Sequence, residues 1–359
     1  MDEQKRQAEE RNSVRKKLPE WTSLDSIAYP RHISLEQCSS QATAEYKASI
    51  VEDVPKGAFV DLTGGFGVDC YYIGRHFDKA VYVEQNAELC ETAKHNFIEL
   101  GFNCDVCCED ASAFLAAMSP VHLIYIDPAR RDTNGRRTYD IADCTPNVKE
   151  LNDLLLAKAD KVLVKLSPMF DWHKAVSDCK GVTEVHIVSV NNECKELLLV
   201  MEKQQKALRV FCVNNQDMVE FSSIPSEDVS IEPMPLEVCK YLYEPNASVM
   251  KSGCFREVKA MYGIDEVSSN SHLFVSDKDI ENFPGRKFQI SSISSFNKKE
   301  LKEKLAGITK ANITVHNFPA KVSEVRKKLK LADGGDVYIF ATTTRDQKHV
   351  MFICSKIPY

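Results

Sequence analysis

From Lys56 to about Met201, short apolar runs alternate with stretches of helical period. Val/Ile/Leu-rich runs at 58–62, 80–84, 103–107, 123–126, 161–164, 184–190 and 197–201 predict strands. Amphipathic stretches at 69–75, 87–100, 111–117, 147–157 and 172–179 predict the helices between them. That alternation specifies an α/β fold with a mostly parallel sheet covered on both faces. Residues 191–196 are too few for a helical crossover, so the last two strands are expected to form an antiparallel hairpin at the sheet edge. Residues 206–280 lose the alternation and contain Pro225, Pro233, Pro235 and Pro245. A small α+β unit follows: strand 288–293, helix 298–306, strand 312–316, helix 321–329, then strands 336–343 and 349–354 after an Asp333-Gly334-Gly335 turn. Before the first strand, residues 1 to about 20, charged and mixed in sign, read as an exposed helix or a frayed tail. Residues 24–52 read as a helical lead-in with hydroxyls at Ser39, Ser40 and Thr43 for capping. The expected partition is 1–55, a helical segment; 56–205, the α/β domain; 206–282, an irregular linking or ferredoxin-like region; and 283–359, the α+β domain.

Composition changes this picture little. An apolar share of 43% and a charged share of 27% in 359 residues suit an ordinary soluble globular protein. No apolar run is long enough to span a bilayer, and Met1-Asp2-Glu3-Gln4-Lys5-Arg6 lacks the apolar core of a signal peptide. Thirteen cysteines, odd in number and scattered, read as reduced thiols in a cytoplasmic protein. Cys104 and Cys107 have C-x-x-C spacing with no second pair, so strand packing is expected and no metal. Charge is more informative. The net value is −6, yet Arg286–Lys330 holds twelve Lys/Arg against Glu300, Glu303 and Glu324. That local basic excess is what contact with phosphates requires.

The candidate chemistry begins at Phe59-Val60-Asp61-Leu62-Thr63-Gly64-Gly65-Phe66-Gly67-Val68-Asp69, a strand end followed by clustered glycines. Such a turn lets backbone N–H groups approach a ligand. The G-x-G-x-x-G dinucleotide fingerprint is missing, since Cys70 stands at the last position, and so is the Gly-Lys-Ser/Thr of a phosphate loop. An acid at the strand end repels pyrophosphate but suits the cationic amino-acid end of S-adenosylmethionine. Glu84 closes the second strand, where a carboxylate can accept ribose hydroxyls, and Asp110 follows the third, where an adenine amino group would sit. The candidate cofactor residues are therefore Asp61, Thr63, Gly64, Gly65, Gly67, Asp69, Glu84, Asp110 and Ala111.

The fourth strand ends in Asp127-Pro128-Ala129-Arg130-Arg131-Asp132, a carboxylate followed by a stiff turn. With these residues the chain resembles a class I S-adenosylmethionine-dependent methyltransferase, with its Rossmann-like seven-stranded sheet. The motif is similar to the Asp/Asn-Pro-Pro-aromatic of amino methyltransferases and the Asp-Pro-Pro-Arg of RNA methyltransferases. It departs at Ala129 and Arg130. The resemblance implies that Asp127 and the following carbonyl accept hydrogen bonds from the target nitrogen. Arg130 and Arg131 are candidates for holding a phosphate or stacking on a base, or for a structural ion pair with Asp132 or Asp140. Lys165, at the end of the fifth strand, is a candidate for binding substrate phosphate or orienting Asp127, or is a strand-end lysine in solvent. Catalytic candidates are Asp127, Pro128, Arg130 and Lys165; Arg130 and Arg131 are substrate candidates.

The segments Tyr241-Leu242-Tyr243-Glu244-Pro245-Asn246, Phe283-Pro284-Gly285-Arg286, Asn312-Ile313-Thr314-Val315-His316-Asn317-Phe318-Pro319 and Lys327-Lys328-Leu329-Lys330-Leu331-Ala332-Asp333-Gly334-Gly335 are similar to a bacterial family of methyltransferases with a THUMP-like tail. The likeness implies RNA, of tRNA or rRNA type, as partner and S-adenosylmethionine as cofactor. It also implies that Gln37, Ser39, Ser40 and Thr43 fold over the methionine end. Methylation of a protein or small molecule, and a binding protein without catalysis, remain open alternatives from the sequence.

Overall fold

Caps and prolines punctuate the N-terminal segment as its composition suggests. In the computed structural model, which describes residues 3–129, 141–222 and 233–357, the chain opens with α1 (Glu3–Val14), α2 (Pro19–Ser23), α3 (His32–Gln37) and α4 (Gln41–Ile50). Pro19 occupies the first turn of α2, where its missing N–H has no partner to lose. Ser40 caps α4, its Oγ accepting from the Thr43 amide at 3.2 Å. The segment is more deeply integrated than its charge suggests. Val14, Leu18 and Trp21 are buried in one apolar cluster with Phe59, Tyr82 and Tyr125.

The α/β region runs β1 (Ala58–Asp61), α5 (Val68–Gly74), β2 (Lys79–Glu84), α6 (Ala87–Glu99), β3 (Asp105–Cys108), α7 (Ala111–Ala117), β4 (Val121–Ile126), α8 (Val148–Lys158), β5 (Ala159–Leu166), α9 (Trp172–Asp178), β6 (Val182–Val190) and β7 (Glu193–Glu202). Each strand and helix expected between 58 and 201 forms. The sheet order is β3-β2-β1-β4-β5-β7-β6, continued by β8 (Arg209–Asn214) and β9 (Asp217–Ser222). Strands β1 to β5 pair in parallel, and β7 runs antiparallel to β5. The chain winds outward from β1 to β3 and then returns to β4 on the other side of β1. The carboxyl ends of β1 and β4 therefore flank the switch point, the place where α/β sheets hold ligands. Because β7 is reversed, its first residues lie at that same edge of the sheet. Strands β8 and β9 place the β6–β7 hairpin inside the sheet instead of at its edge. Among the described residues β8 runs on to β9 with no helix between them, so the alternation gave no cue to them.

By compactness the chain divides into residues 1–188 with 195–211, and 189–194 with 212–359. The second unit contains β10 (Tyr241–Pro245), α10 (Ala247–Ser252), α11 (Phe255–Tyr262), β11 (Asp265–Glu266), β12 (Phe274–Ser276), β13 (Gly285–Ser295), α12 (Lys298–Lys304), β14 (Asn312–His316), α13 (Val322–Leu329), β15 (Val337–Thr343) and β16 (His349–Lys356). Its sheet order is β11-β12-β10-β13-β16-β15-β14, antiparallel except for β14 with β15. Strand alternation sorts two cores. Ile339, Ala341, Met351 and Ile353 face Leu301 of α12 and Val325 of α13, while Phe340, Phe352 and Cys354 join Leu242 and Phe288. Both lysine-bearing helices thus cover one face of this sheet. Among the described residues no helix is long and apolar enough to cross a membrane.

Phe97 links the first core to the glycine turn. It is buried, meets Tyr82 and Phe102 edge-on at 5.7 and 5.1 Å between ring centres, and fills the space where a Cβ on Gly67 would stand. Phe97→Ala is expected to lower stability by about 3–5 kcal/mol in urea unfolding, the cost of an aromatic-sized cavity.

Candidate functional site

The glycine turn is shaped first by the protein's own packing. A Cβ on Gly64 would stand 2.0 Å from the Tyr82 ring, which is itself fixed by a bond from its hydroxyl to the Gly65 carbonyl at 2.6 Å. Gly67 has φ +91° and abuts Phe97, whereas Gly65, with φ +54°, has open space where its Cβ would be apart from the Thr63 carbonyl at 3.9 Å. Gly65 alone of the three leaves its Cβ side free. The turn is tied to neighbouring strands: Gly64 N–H donates to the Val83 carbonyl at 2.9 Å and Gly65 N–H to Glu84 Oε2 at 3.1 Å. Thr63 Oγ1 accepts from the Asp127 amide at 2.6 Å, joining the ends of β1 and β4.

Three predicted acids, Asp61, Glu84 and Asp127, converge on this edge, each in a different setting. Asp61 is buried; its Oδ1 accepts from the Thr63 amide at 2.9 Å, and its Oδ2 has no hydrogen-bond partner. Burial raises its carboxyl well above the usual range, the Thr63 bond opposes this, and Asp69, Asp127 and Glu84 push it further up. Glu84 is half-buried and accepts from the Gly65 and Asn86 amides, so it braces the turn as well as facing the crevice. Asp127 is half-buried and accepts from Lys165 Nζ, while Pro128 is buried beside it. Asp110 is exposed and caps α7, accepting from Ser112 and Ala113 amides at 2.9 and 3.0 Å; Ala111 is the first residue of that helix. Arg130 and Arg131, with Asp132 and Asp140, lie outside the described residues.

Asp69 differs from its expected place at the ligand surface. Its Oδ2 accepts from Ser39 Oγ and Tyr125 Oη, both at 2.7 Å, and its Oδ1 is 3.2 Å from Lys47 Nζ. All these partners are internal, because α5 begins with its acid turned toward α4 and β4. Asp69 Oδ1, like Asp61 Oδ2, accepts no hydrogen bond among the described residues. Lys47 donates to both Glu196 oxygens at 2.8 Å and to Ser39 Oγ at 3.1 Å. Burial raises Asp69, but Lys47, Lys165, Ser39 and Tyr125 outweigh it and hold the carboxyl below its usual range. Glu196 is pushed up by burial, against the opposing charges of Lys47 and Lys165. Burial would lower Lys165, but Asp127, Asp69 and Glu196 raise it on balance and keep it charged. Three carboxylates (Asp69, Asp127, Glu196) thus share two ammonium groups (Lys47, Lys165), and Asp61 lies beside them with no cation of its own. With all ionised, the cluster carries excess negative charge.

Lys47 and Glu196 were not among the sequence candidates. A faint signal existed: Lys47 interrupts the Ala44, Ala48, Val51 stripe of α4, and Glu196 directly precedes the apolar run of β7. Of the lead-in residues, Ser39 enters the cluster, Ser40 and Thr43 bond each other at the α4 cap, and Gln37 is exposed. The cysteines pack beside the strands. Cys70 Sγ lies 3.8 Å from Cys104 Sγ, and Cys90 donates to the Glu84 carbonyl. Among the described residues no group of His, Cys, Asp and Glu is arranged to hold a metal.

The Asp61 carboxyl binds its proton more tightly folded than unfolded. Its contribution to stability is present below the ordinary carboxylate range and is lost as pH rises through the raised folded value. In protein stripped of small ligands, the gain in Tm of Asp61→Asn over wild type should therefore grow as pH rises above about 4. A constant or shrinking difference in a thermal scan would contradict that assignment.

A THUMP-domain-like family model matches residues 285–356, and a ferredoxin-like-domain model matches residues 241–284. No curated protein matches the chain. Among solved structures, a "putative methyltransferase from Porphyromonas gingivalis W83" is 33% identical over 98% of this chain and 90% of its own, with a TM-score of 0.88. Two others resemble the chain only loosely and carry no weight here. They are an S-adenosylmethionine-dependent methyltransferase from Agrobacterium tumefaciens (16% identity, 45% of this chain and 61% of that one, TM-score 0.34) and an rRNA methylase from Streptococcus thermophilus (13%, 45% and 95%, TM-score 0.34). Near-complete coverage at this identity, with the tail matched separately, is decisive: the chain belongs to the class I S-adenosylmethionine-dependent methyltransferases that carry a C-terminal THUMP-like domain.

Proposed function

We propose that the crevice at the ends of β1, β2 and β4 binds S-adenosylmethionine and that the protein methylates a base of RNA. The observation that carries the cofactor reading is Asp61 Oδ2, a buried carboxylate oxygen without a donor, in a cluster with more carboxylates than ammonium groups. A buried acceptor of this kind calls for a cationic donor from a ligand. The ammonium of the cofactor's methionine end meets that need, and its sulfonium adds a second positive charge. Dinucleotides and nucleoside triphosphates would bring negative charge to the same place. Asp61 would hold the ammonium, Gly65 would admit the cofactor past its open Cβ side, and Glu84 would take the ribose hydroxyls. Asp110 and Ala111 would border the adenine.

The cofactor supplies a methyl group already activated by its sulfonium, so the protein's work is placement. Asp127 accepts a hydrogen bond from the target nitrogen, and the carbonyl after it would be the second acceptor. Lys165 holds the Asp127 carboxylate, the buried ring of Pro128 stiffens the turn, and Thr63 fixes the Asp127 backbone. A base would enter this site unpaired or flipped from its stack.

RNA as the acceptor is supported by the THUMP-like match and by the lysines of the second unit. Lys298, Lys299, Lys302 and Lys304 on α12 and Lys327 and Lys328 on α13 are exposed, and both helices cover the same sheet face. Such clustered ammonium groups bind phosphates with release of counterions.

Labelled S-adenosylmethionine incubated with total RNA should transfer its methyl group, and Asp127→Ala, which removes the side-chain acceptor, should reduce the rate by at least about a hundredfold. Transfer to protein or small-molecule extracts with none to RNA would overturn the RNA assignment. The combined variant Lys298→Gln/Lys302→Gln/Lys327→Gln should weaken RNA binding and reduce the slope of log K against log salt by about 2–3. A titration of RNA affinity at several salt concentrations measures it.

A further inference from the structure

Two side chains of the buried ion cluster, Lys47 and Glu196, belong to no motif. Lys47 comes from α4 and Glu196 from the start of β7, and both are almost wholly inaccessible. Between them and Asp127 stand Asp69 and Lys165. Lys165 is acted on by three carboxylates, those of Asp127, Asp69 and Glu196, yet its hydrogen bond goes to Asp127. In a low-dielectric interior, an ammonium group among three carboxylates has competing positions close in energy unless the others are already satisfied. Lys47 pairs with both: Glu196 by hydrogen bonds, Asp69 by charge alone, since Asp69 Oδ1 accepts no hydrogen bond. It bonds both oxygens of Glu196, lies 3.2 Å from Asp69 Oδ1, and through Ser39 reaches the donor to Asp69 Oδ2.

We propose that Lys47 and Glu196 are positioning residues. By neutralising Asp69 and each other, they commit Lys165 to Asp127, and the strand-end carboxylate then presents a single orientation to the acceptor nitrogen. The catalytic consequence rests on the methyl-transfer reading; the commitment of Lys165 does not. The charged and titratable groups around this pair are Lys47 (α4), Asp69 (α5), Asp61 (β1), Glu84 (β2), Tyr125 (β4), Glu196 (β7) and Cys38 ahead of α4. Removing one ammonium group or one carboxylate from this set moves its charge in opposite directions.

The test compares Lys47→Met and Glu196→Gln, the latter preserving shape and an acceptor for Lys47. In nitrogen-15 NMR of the lysine ammonium groups, with Lys165→Arg as assignment control, Lys47→Met should shift the Lys165 resonance. It should also speed its hydrogen exchange at least about tenfold, as Lys165 is released to the uncompensated acids. In the transferase assay Glu196→Gln should lower kcat about tenfold while the cofactor KM stays within about threefold. The acid limb of the pH–rate profile should move up in Lys47→Met and down in Glu196→Gln, a pair of opposite shifts that lost stability alone does not produce. Folded variants with an unchanged Lys165 resonance and unmoved acid limbs would overturn the proposal. If Lys47→Met fails to fold, Glu196→Gln decides it by the Lys165 resonance. Should the wild type transfer no methyl group to any acceptor, the function falls and the NMR comparison still decides this inference.

Discussion

The structure around the crevice depends on Lys47 finding its carboxylates. A lysine driven into the interior of α4 is tolerated only when its charge is paired and its donors are used, since the desolvation of a lone ion costs several kcal/mol. Glu196 takes two of those donors and Ser39 a third. This pairing ties three distant parts of the chain together: the N-terminal lead-in, the start of α5 through Asp69, and the reversed strand β7. Leaving one partner of a buried pair behind typically costs about 3–5 kcal/mol, so none of the three can drift without exposing the others. Stability is not the only outcome. The same cluster leaves Asp61 Oδ2 buried without a hydrogen-bond partner.

The glycine turn carries a related lesson about cause. Its glycines invite the explanation that a ligand's approach demands them, but two answer to the protein itself. Gly64 makes room for the Tyr82 ring and Gly67 for Phe97, and the Tyr82 hydroxyl locks the turn by bonding the Gly65 carbonyl. Only Gly65 faces open space. The turn is therefore rigid because it is packed from beneath, and that rigidity holds Asp61, Thr63 and Asp127 at the switch point. Glu84 shows the same economy, bracing Gly65 with one oxygen while the other accepts from Asn86.

In the second unit the relation between packing and charge is simpler. Leu301 and Val325 anchor α12 and α13 to the same side of the seven-stranded sheet, and helical period then turns the lysines outward. The basic excess counted along the chain becomes a surface because the two helices share a layer. Some cations are already spent: Arg286 pairs with Glu244, Lys287 with Asp279 and Arg326 with Asp333. Those left in solvent belong mostly to the two helices.

Local periodicity determined much of this protein. The alternating strands and helices from β1 to β7, the α+β order after residue 285 and the acid ladder at the strand ends were all legible, because each depends on residues close together in sequence. Strands β8 and β9 escaped notice because no helix separates them to continue the alternation. Asp69 was legible as an acid near the turn but not as an internal one, since its direction is set by Ser39 and Tyr125, far away in the chain. Lys47 and Glu196, 149 residues apart, are the clearest case. Nothing local separates Lys47 from an exposed lysine, or Glu196 from a strand-flanking acid. Only the reversal of β7 beside β5, with α4 packed over the same edge, makes them partners, because ion pairing depends on distance in space.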